Sequence, residues 1–365
     1  MQVYCAKACA TCEQQSNVIR DKHCQNAMTQ EAQDDHRCQV LAQYGRCETH
    51  PRFMRQSCLR ACDWCYYEHR CQLHQLAALH ESVEGYDLYQ RVFERILHNH
   101  TLVNKYDIVQ VHDDPPVLQM RKFLPLPVVH SFLNDIPHVF VRSTGTGALT
   151  DNMQYEQLQI PGRTSQQTWC DKIEVNAWDI VDFHSVNVNR GHITSNAKET
   201  ATTAAKHRRE ESATSMEWSK QAGCLSHDSA RHMIESIHEL TGIDTVNYEQ
   251  IQVLKYEIGQ FYDTHHDFIP DQWDMMCGPR MLTLFMYLND DFQGGHTLFP
   301  NIHVDVTPMV GSAVLWPNVM PRDLFSQDDR TYHKAMPLLQ GTKYAANVWI
   351  HPFNYQWAYD HGCTG

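Results

Sequence analysis

The chain reads as an α+β protein: a sandwich or barrel of short strands buttressed by helices, with a small disulfide-rich module ahead of it. Three observations predict this. From about Gln252 onward, apolar runs of strand length (IQVLKYEI, MLTLFMYL, GSAVLWP and AANVWIH) are separated by Gly, Pro, Asn and Asp, which is the pattern of a β sandwich or barrel. Ahead of them, Ser226 to Leu240 places Met233, Ile234, Ile237 and Leu240 on one helical face and stops at Thr241-Gly242, a helix with a glycine terminus. Third, ten of the 14 cysteines fall between Cys5 and Cys71. That density indicates a disulfide framework and an oxidising compartment.

The bulk numbers bound the function. The 365 residues suffice for one large catalytic domain and a small module, and 42% apolar content allows a real core. A net charge of -13 argues against a nucleic-acid partner, which needs a basic footprint. No stretch approaches the apolar length of a membrane-spanning helix. The N-terminus, MQVYCAKACATC, has neither a basic n-region nor an apolar h-region. Secretion without a visible leader is reconciled by a repeat. Met1, Cys5, Cys9 and Cys12 match Met54, Cys58, Cys62 and Cys65 at an offset of 53. The first copy begins in mid-unit, so residues 1–23 are expected to be a partial module and Met1 an internal methionine of a longer protein.

Taking the elements in order, residues 24–71 contain Gly45-x-Cys47, Pro51-x-Phe53-Met54 and Cys58-x-x-x-Cys62-x-x-Cys65. This segment resembles the ShK toxin-like (ShKT) six-cysteine domain. The resemblance implies the disulfides Cys24–Cys65, Cys38–Cys58 and Cys47–Cys62. Zinc is the rival reading, but this spacing is not a common zinc one. Residues 72–110 are expected to form a helical connector, with Tyr89, Val92, Phe93, Ile96 and Leu97 at helical spacing. Asn99-His100-Thr101 is a glycosylation sequon. The catalytic domain is placed at 111–356, opening with a strand, a turn and a helix in PPVLQMRKFLPLPVVHSFL. Within it, about 171–223 is polar and nearly free of aromatics in its central stretch, so it reads as a mobile insertion. Cys170 and Cys224 flank it, positioned to close its base. Residues 357–365 form a tail.

The chemistry lies in His265-His266-Asp267, with His333 and Lys343 further on. On a strand, residues i and i+2 share a face, so His265 and Asp267 point the same way and His266 the other. Two imidazoles and a carboxylate suit Fe(II) and leave open coordination positions. Lys343, Ala345, Asn347 and Trp349 share strand parity, and a lysine inside a barrel calls for an anion. Around these lie Tyr256-x-x-Gly259-Gln260-x-Tyr262, Arg280-x-x-Thr283-x-x-x-Tyr287-Leu288-Asn289-Asp290, Gly294-Gly295-x-Thr297, Pro308-x-x-Gly311 and Gly341-x-Lys343.

This order closely resembles the prolyl 4-hydroxylase (alpha-subunit-like) catalytic domain of the Fe(II)/2-oxoglutarate dioxygenases, over about residues 115 to 352. The resemblance implies a double-stranded β-helix (jelly-roll) core and a metal set of His265, Asp267 and His333. It implies 2-oxoglutarate bound by Lys343 near Tyr256 and Thr283, O2 as cosubstrate and L-ascorbate as reductant. Tyr262, Arg280, Glu249 and Trp349 match positions around the substrate proline. The reaction implied is hydroxylation of peptidyl proline to 4-hydroxyproline as 2-oxoglutarate becomes succinate and CO2. The implied partner is a proline-containing protein or peptide, and the implied place is the secretory pathway, in the endoplasmic reticulum lumen. Oligomeric state is not legible.

Two alternatives remain at this point: an oxygenase of the same kind acting on another residue, and a catalytically idle barrel displaying an ShKT module. Lysyl hydroxylases use arginine where this chain has Lys343. One departure is His296, where the family usually has glutamate, and His303, His351 and His361 have no assigned role. Strand parity also places Arg280 and Thr283 on opposite faces, so the strand must start after Arg280 or contain a bulge.

Overall fold

The computed structural model describes residues 32–64, 71, 88–149, 155–171, 223–270, 272 and 275–364. The expected partial module at 1–23, Cys24, Cys65 and the 172–222 stretch lie outside them. The chain divides into two units.

Among the described residues, the first unit contains 32–64, 71 and 360–363. The helices Ala32–Gln43, Arg46–Thr49 and Pro51–Ser57 and the 3-10 turn Leu59–Cys62 follow one another closely. Gly45 joins the first two helices at φ 71, a left-handed conformation that glycine adopts at no steric cost. Its apolar centre is small: Leu41, Met54, Leu59 and Trp64 around the Cys38–Cys58 bridge. A core of that size needs covalent staples. Cys38–Cys58 and Cys47–Cys62 supply them, two of the three pairs the ShKT resemblance implied. A further bridge, Cys71–Cys363, ties residues 292 apart in sequence.

The second unit is built on two antiparallel sheets. The larger runs Ile108–His112, Val117–Met120, Ala313–Pro317, Leu282–Tyr287, Lys343–Ile350, Ile251–Tyr256, Gln166–Cys170, Val141–Arg142. The smaller runs Val304–Val306, Thr297–Phe299, His333–Ala335, Tyr262–His265. Between Ile251 and Ile350 the chain passes back and forth, contributing four strands to each sheet. That is a double-stranded β-helix.

Its central strands are apolar on both faces because both are covered. Leu282, Leu284 and Met286 join a core with Val129 and Phe132 of the Leu126–Asp135 helix and Met233, Ile237 and Leu240 of the Asp228–Thr241 helix. Phe285 and Tyr287, the alternate set, meet Phe299, Val304 and Val306 of the smaller sheet. Period-two alternation thus sorts one strand into a helix-facing and a barrel-facing side.

Residues 88–110, expected as a connector, belong to this unit. Val92, Phe93 and Ile96 of the Leu88–His98 helix sit in the same core, and Ile108–His112 is an edge strand of the larger sheet. The Asp228–Thr241 helix ends on Gly242 at φ 73, and its last carbonyls, of Glu239 and Leu240, accept from Arg95 Nη1 at 3.0 and 2.6 Å. That satisfies orphan acceptors and sets a cation at the negative end of the helix dipole. Cys170 and Cys224 are bonded.

Candidate active site

The smaller sheet brings the two histidines together. His333 pairs directly with His265 across the antiparallel ladder. Asp267 lies just beyond, because the Tyr262–His265 strand ends at His265. The expected strand geometry across His265-His266-Asp267 is therefore corrected: Asp267 is aimed by the turn after the strand. His266 turns away and contacts the Asp328 carbonyl and the Thr331 hydroxyl, each at 3.0 Å.

The ligand atoms of His265, Asp267 and His333 lie within 4.8 Å of one another. The surrounding bonds decide their tautomers. His265 Nδ1 is 2.7 Å from the Asp263 carbonyl and His333 Nδ1 is 3.0 Å from that of Thr331. A carbonyl only accepts, so each Nδ1 carries the proton and each Nε2 lone pair is left for a metal. Burial, then the neighbouring His333, push the His265 pKa well below its ordinary value, favouring the neutral, ligating form. For Asp267 burial alone would raise the pKa, but His333, His265 and Arg280 outweigh it and the carboxyl is held low. This donor set fits Fe(II).

Thr283 was expected in the cosubstrate pocket. Its hydroxyl donates to Asp267 Oδ2 at 2.8 Å and accepts from Asn318 Nδ2 at 2.8 Å, so it orients the carboxylate.

On the larger sheet, Lys343 is fully buried and paired in register with Tyr256. Its ammonium donates to the Gly295 carbonyl at 2.6 Å and sits 5.1, 5.2 and 5.3 Å from the ring centres of Tyr256, Phe285 and Tyr287. No carboxylate among the described residues pairs with it, and burial pushes its pKa down to about 7. A buried cation held by one carbonyl and three ring faces fits an incoming carboxylate.

A cavity of about 380 Å³ opens beside His265 and Asp267, lined also by Arg163, Tyr262, Arg280 and Trp349. Tyr262 stacks on His265 with ring centres 3.4 Å apart, and the Arg163 guanidinium lies 4.5 Å over the other ring's centre, that of Tyr262. Arg280 forms a two-pronged ion pair with Glu249 (2.6 and 2.9 Å) and lies 3.6 Å over Trp349. The strand carrying Thr283 begins at Leu282, after Arg280, which settles the parity question without a bulge. Trp349 stands directly opposite Thr283 in the ladder.

Four residues here have no functional signal of their own in the sequence. Arg163 and Trp169 lie in polar stretches without periodicity, and Asn347 was noted only for its parity. His351 has no role that its sequence context assigns. Its Nδ1 donates to the Gly278 carbonyl at 2.8 Å and its Nε2 meets Glu249 Oε1 at 2.9 Å. With acceptors on both nitrogens it is an imidazolium: burial opposes the charge, but Cys277 and Glu249 raise the pKa to about 9. Glu249 in turn is held at about 2, with Arg280 and His351 overcoming its burial. His296, in the glutamate position, lies 3.3 Å from Asp305. His303 adopts φ 57 on a turn, and His361 lies against Trp64 in the first unit.

Parts of this chain are similar to known proteins. Residues 251–351 match the 2OG-Fe(II) oxygenase superfamily. Prolyl 4-hydroxylase subunit alpha-1 of Gallus gallus is 38% identical over 120 residues, covering 32% of this chain and 23% of the relative. The human subunit is 37% identical over the same length, covering 22% of it. Probable prolyl 4-hydroxylase 4 of Arabidopsis thaliana is 32% identical over 139 residues and is covered to 46%. The chain thus spans under a quarter of the animal subunits and under half of the plant protein. Among solved structures, a viral collagen prolyl hydroxylase of Paramecium Bursaria Chlorella virus-1 is 21% identical with a TM-score of 0.36, covering 64% of this chain and 95% of that one. The chain carries a 2OG-Fe(II) oxygenase domain, close to those of prolyl 4-hydroxylase alpha subunits.

Proposed function

We propose that this protein hydroxylates peptidyl proline to 4-hydroxyproline in the lumen of the endoplasmic reticulum, with 2-oxoglutarate and O2 as cosubstrates and ascorbate as reductant. The observation that carries the reading is the pairing of two halves of one barrel. One wall presents three metal-ready donors, and the other buries a lysine that no carboxylate among the described residues neutralises.

His265 and His333 would hold iron through Nε2, and Asp267 through its carboxylate. When bound, iron and 2-oxoglutarate supply the oxidising chemistry, splitting O2 between succinate and the hydroxylated carbon with release of CO2. The residues do the positioning. Lys343 holds the distal carboxylate, with Tyr256 against it. Thr283 and Asn318 hold Asp267 in place. Tyr262, held by His265 and Arg163, and Trp349, held by Arg280 and through it Glu249, line the cavity that would receive the proline ring. The similarity to prolyl 4-hydroxylases supports proline as the target, and the disulfides support an oxidising compartment.

The test is incubation with Fe(II), 2-oxoglutarate, ascorbate and a proline-rich peptide, followed by mass spectrometry of the peptide and assay of succinate. Oxygen added at proline is expected, and both products should vanish in His333→Ala. Succinate formation unchanged in that variant would refute the metal assignment. Hydroxylation at lysine with none at proline would move the reading to another substrate residue.

A further inference from the structure

His266 stands between two of the metal-site residues in sequence, and nothing in the oxygenase chemistry uses it. It is nonetheless held on both ring nitrogens. Its Nδ1 accepts from the Phe268 amide at 2.9 Å. A ring nitrogen that accepts leaves the proton on the other, so Nε2 is the donor. That N–H is shared by the Asp328 carbonyl and the Thr331 hydroxyl, each at 3.0 Å. The ring also stands edge-on to Tyr332, with centres 5.1 Å apart at 73°.

Both tethers end on segments that deliver a donor to the site. The bond to Phe268 closes the turn after the Tyr262–His265 strand, and Asp267 is the residue inside that turn. The other bond reaches, across 62 positions, the start of the Asp329–Thr331 3-10 turn that leads into His333. There the Thr331 hydroxyl donates to the Asp328 carbonyl at 3.0 Å, and the Thr331 carbonyl accepts from His333 Nδ1. One imidazole therefore spans from the Asp267 turn to the His333 turn. Asn318 bridges the same segments from another side. Its Nδ2 donates to Thr283, which holds Asp267, and its carbonyl accepts from the Asp328 amide at 3.1 Å.

We infer that His266 is a positioning residue for the metal, clamping the Asp267 turn to the His333 turn so that their donors converge with that of His265. Segments that must be ordered on binding cost affinity, and a site keeps its geometry only where surrounding bonds lock the ligand residues. The clamp supplies that lock through backbone and hydroxyl groups, without touching the ligating atoms. This rests on the reading of His265, Asp267 and His333 as the metal ligands.

Metal binding tests it separately from turnover. The full chain is titrated with Co(II), and the bound ion is followed by its visible absorption. His266→Phe keeps a flat ring and loses both bonds, and its affinity should fall roughly 10- to 100-fold. His266→Gln keeps an amide N–H for the Asp328 and Thr331 oxygens and should recover much of that loss. Wild-type affinity in His266→Phe would overturn the clamp. So would a loss that His266→Gln does not lessen. Should His266→Phe fail to fold, as judged by its melting curve, Thr331→Val decides: it removes the hydroxyl alone, a several-fold loss of affinity is expected, and no loss would overturn the clamp. A wild-type chain that binds no Co(II) would sink the metal site and the clamp together. The expected order of affinities without any hydroxylation would leave the clamp standing and sink the assigned reaction.

Discussion

Two cations in this barrel have opposite surroundings. Arg280 is matched by Glu249 through two short hydrogen bonds, lies 3.6 Å over the Trp349 ring, and has a second cation, His351, sharing the same carboxylate. Lys343 has one carbonyl and three rings. The first arrangement is complete by itself. The second leaves a charge that the described residues do not neutralise. Burial of a charge is tolerated when paired, so an unpaired one marks where something anionic binds, whereas the paired one marks a wall built to stay rigid.

Substitutions can break this contrast. The largest effect is expected at the metal: His265→Ala should lose at least about a hundredfold in turnover together with bound metal, measured by metal content and succinate release. Next is the completed pair. Glu249→Ala strands Arg280 and His351 without their carboxylate, and should lower stability by about 3–5 kcal/mol in denaturant melts.

Lys343→Met should do the reverse to the fold while removing 2-oxoglutarate binding: a gain of about 1–4 kcal/mol, read by the same melts. The sign with pH sharpens it. Between about pH 7, the native value, and about 10.4, the unfolded one, the unfolded chain carries a proton that the native protein lacks. Wild-type stability therefore rises with pH across that window, and the advantage of Lys343→Met shrinks. For the same reason 2-oxoglutarate affinity should fall as pH climbs above about 7, seen by calorimetry as proton uptake on binding.

The smallest effect is at the Leu88–His98 to His100–Tyr106 junction. Asn99 Oδ1 accepts from the amides of Thr101 and Leu102 at 3.0 and 3.2 Å. Asn99→Ala should cost about 1 kcal/mol, with 2-oxoglutarate binding unchanged.

Much of the barrel was legible because its signals are local. The four apolar runs became strands at Ile251–Tyr256, Leu282–Tyr287, Ala313–Pro317 and Lys343–Ile350. Parity along the last strand correctly set Lys343 with Asn347 and Trp349, since the ladder there is regular. Parity gave the right sides for His265, His266 and Asp267, but not the end of the strand, which pairing decides: His333 meets His265 and the ladder goes no further in that direction. That Thr283 donates to Asp267 is not legible in the sequence, because the two meet only through the packing of different strands.

The sequence by itself determined the kind of chemistry: two imidazoles, a carboxylate and a lysine on elements whose periodicity points them inward. It also determined the module of bridged cysteines. Only the tertiary structure decided how these groups are held. His351 reaches Glu249 across 102 positions, Arg163 reaches Tyr262, and Cys71 finds Cys363. Periodicity reports which face a side chain occupies. What it meets there depends on which distant strand or helix packs against that face, and no local pattern encodes that.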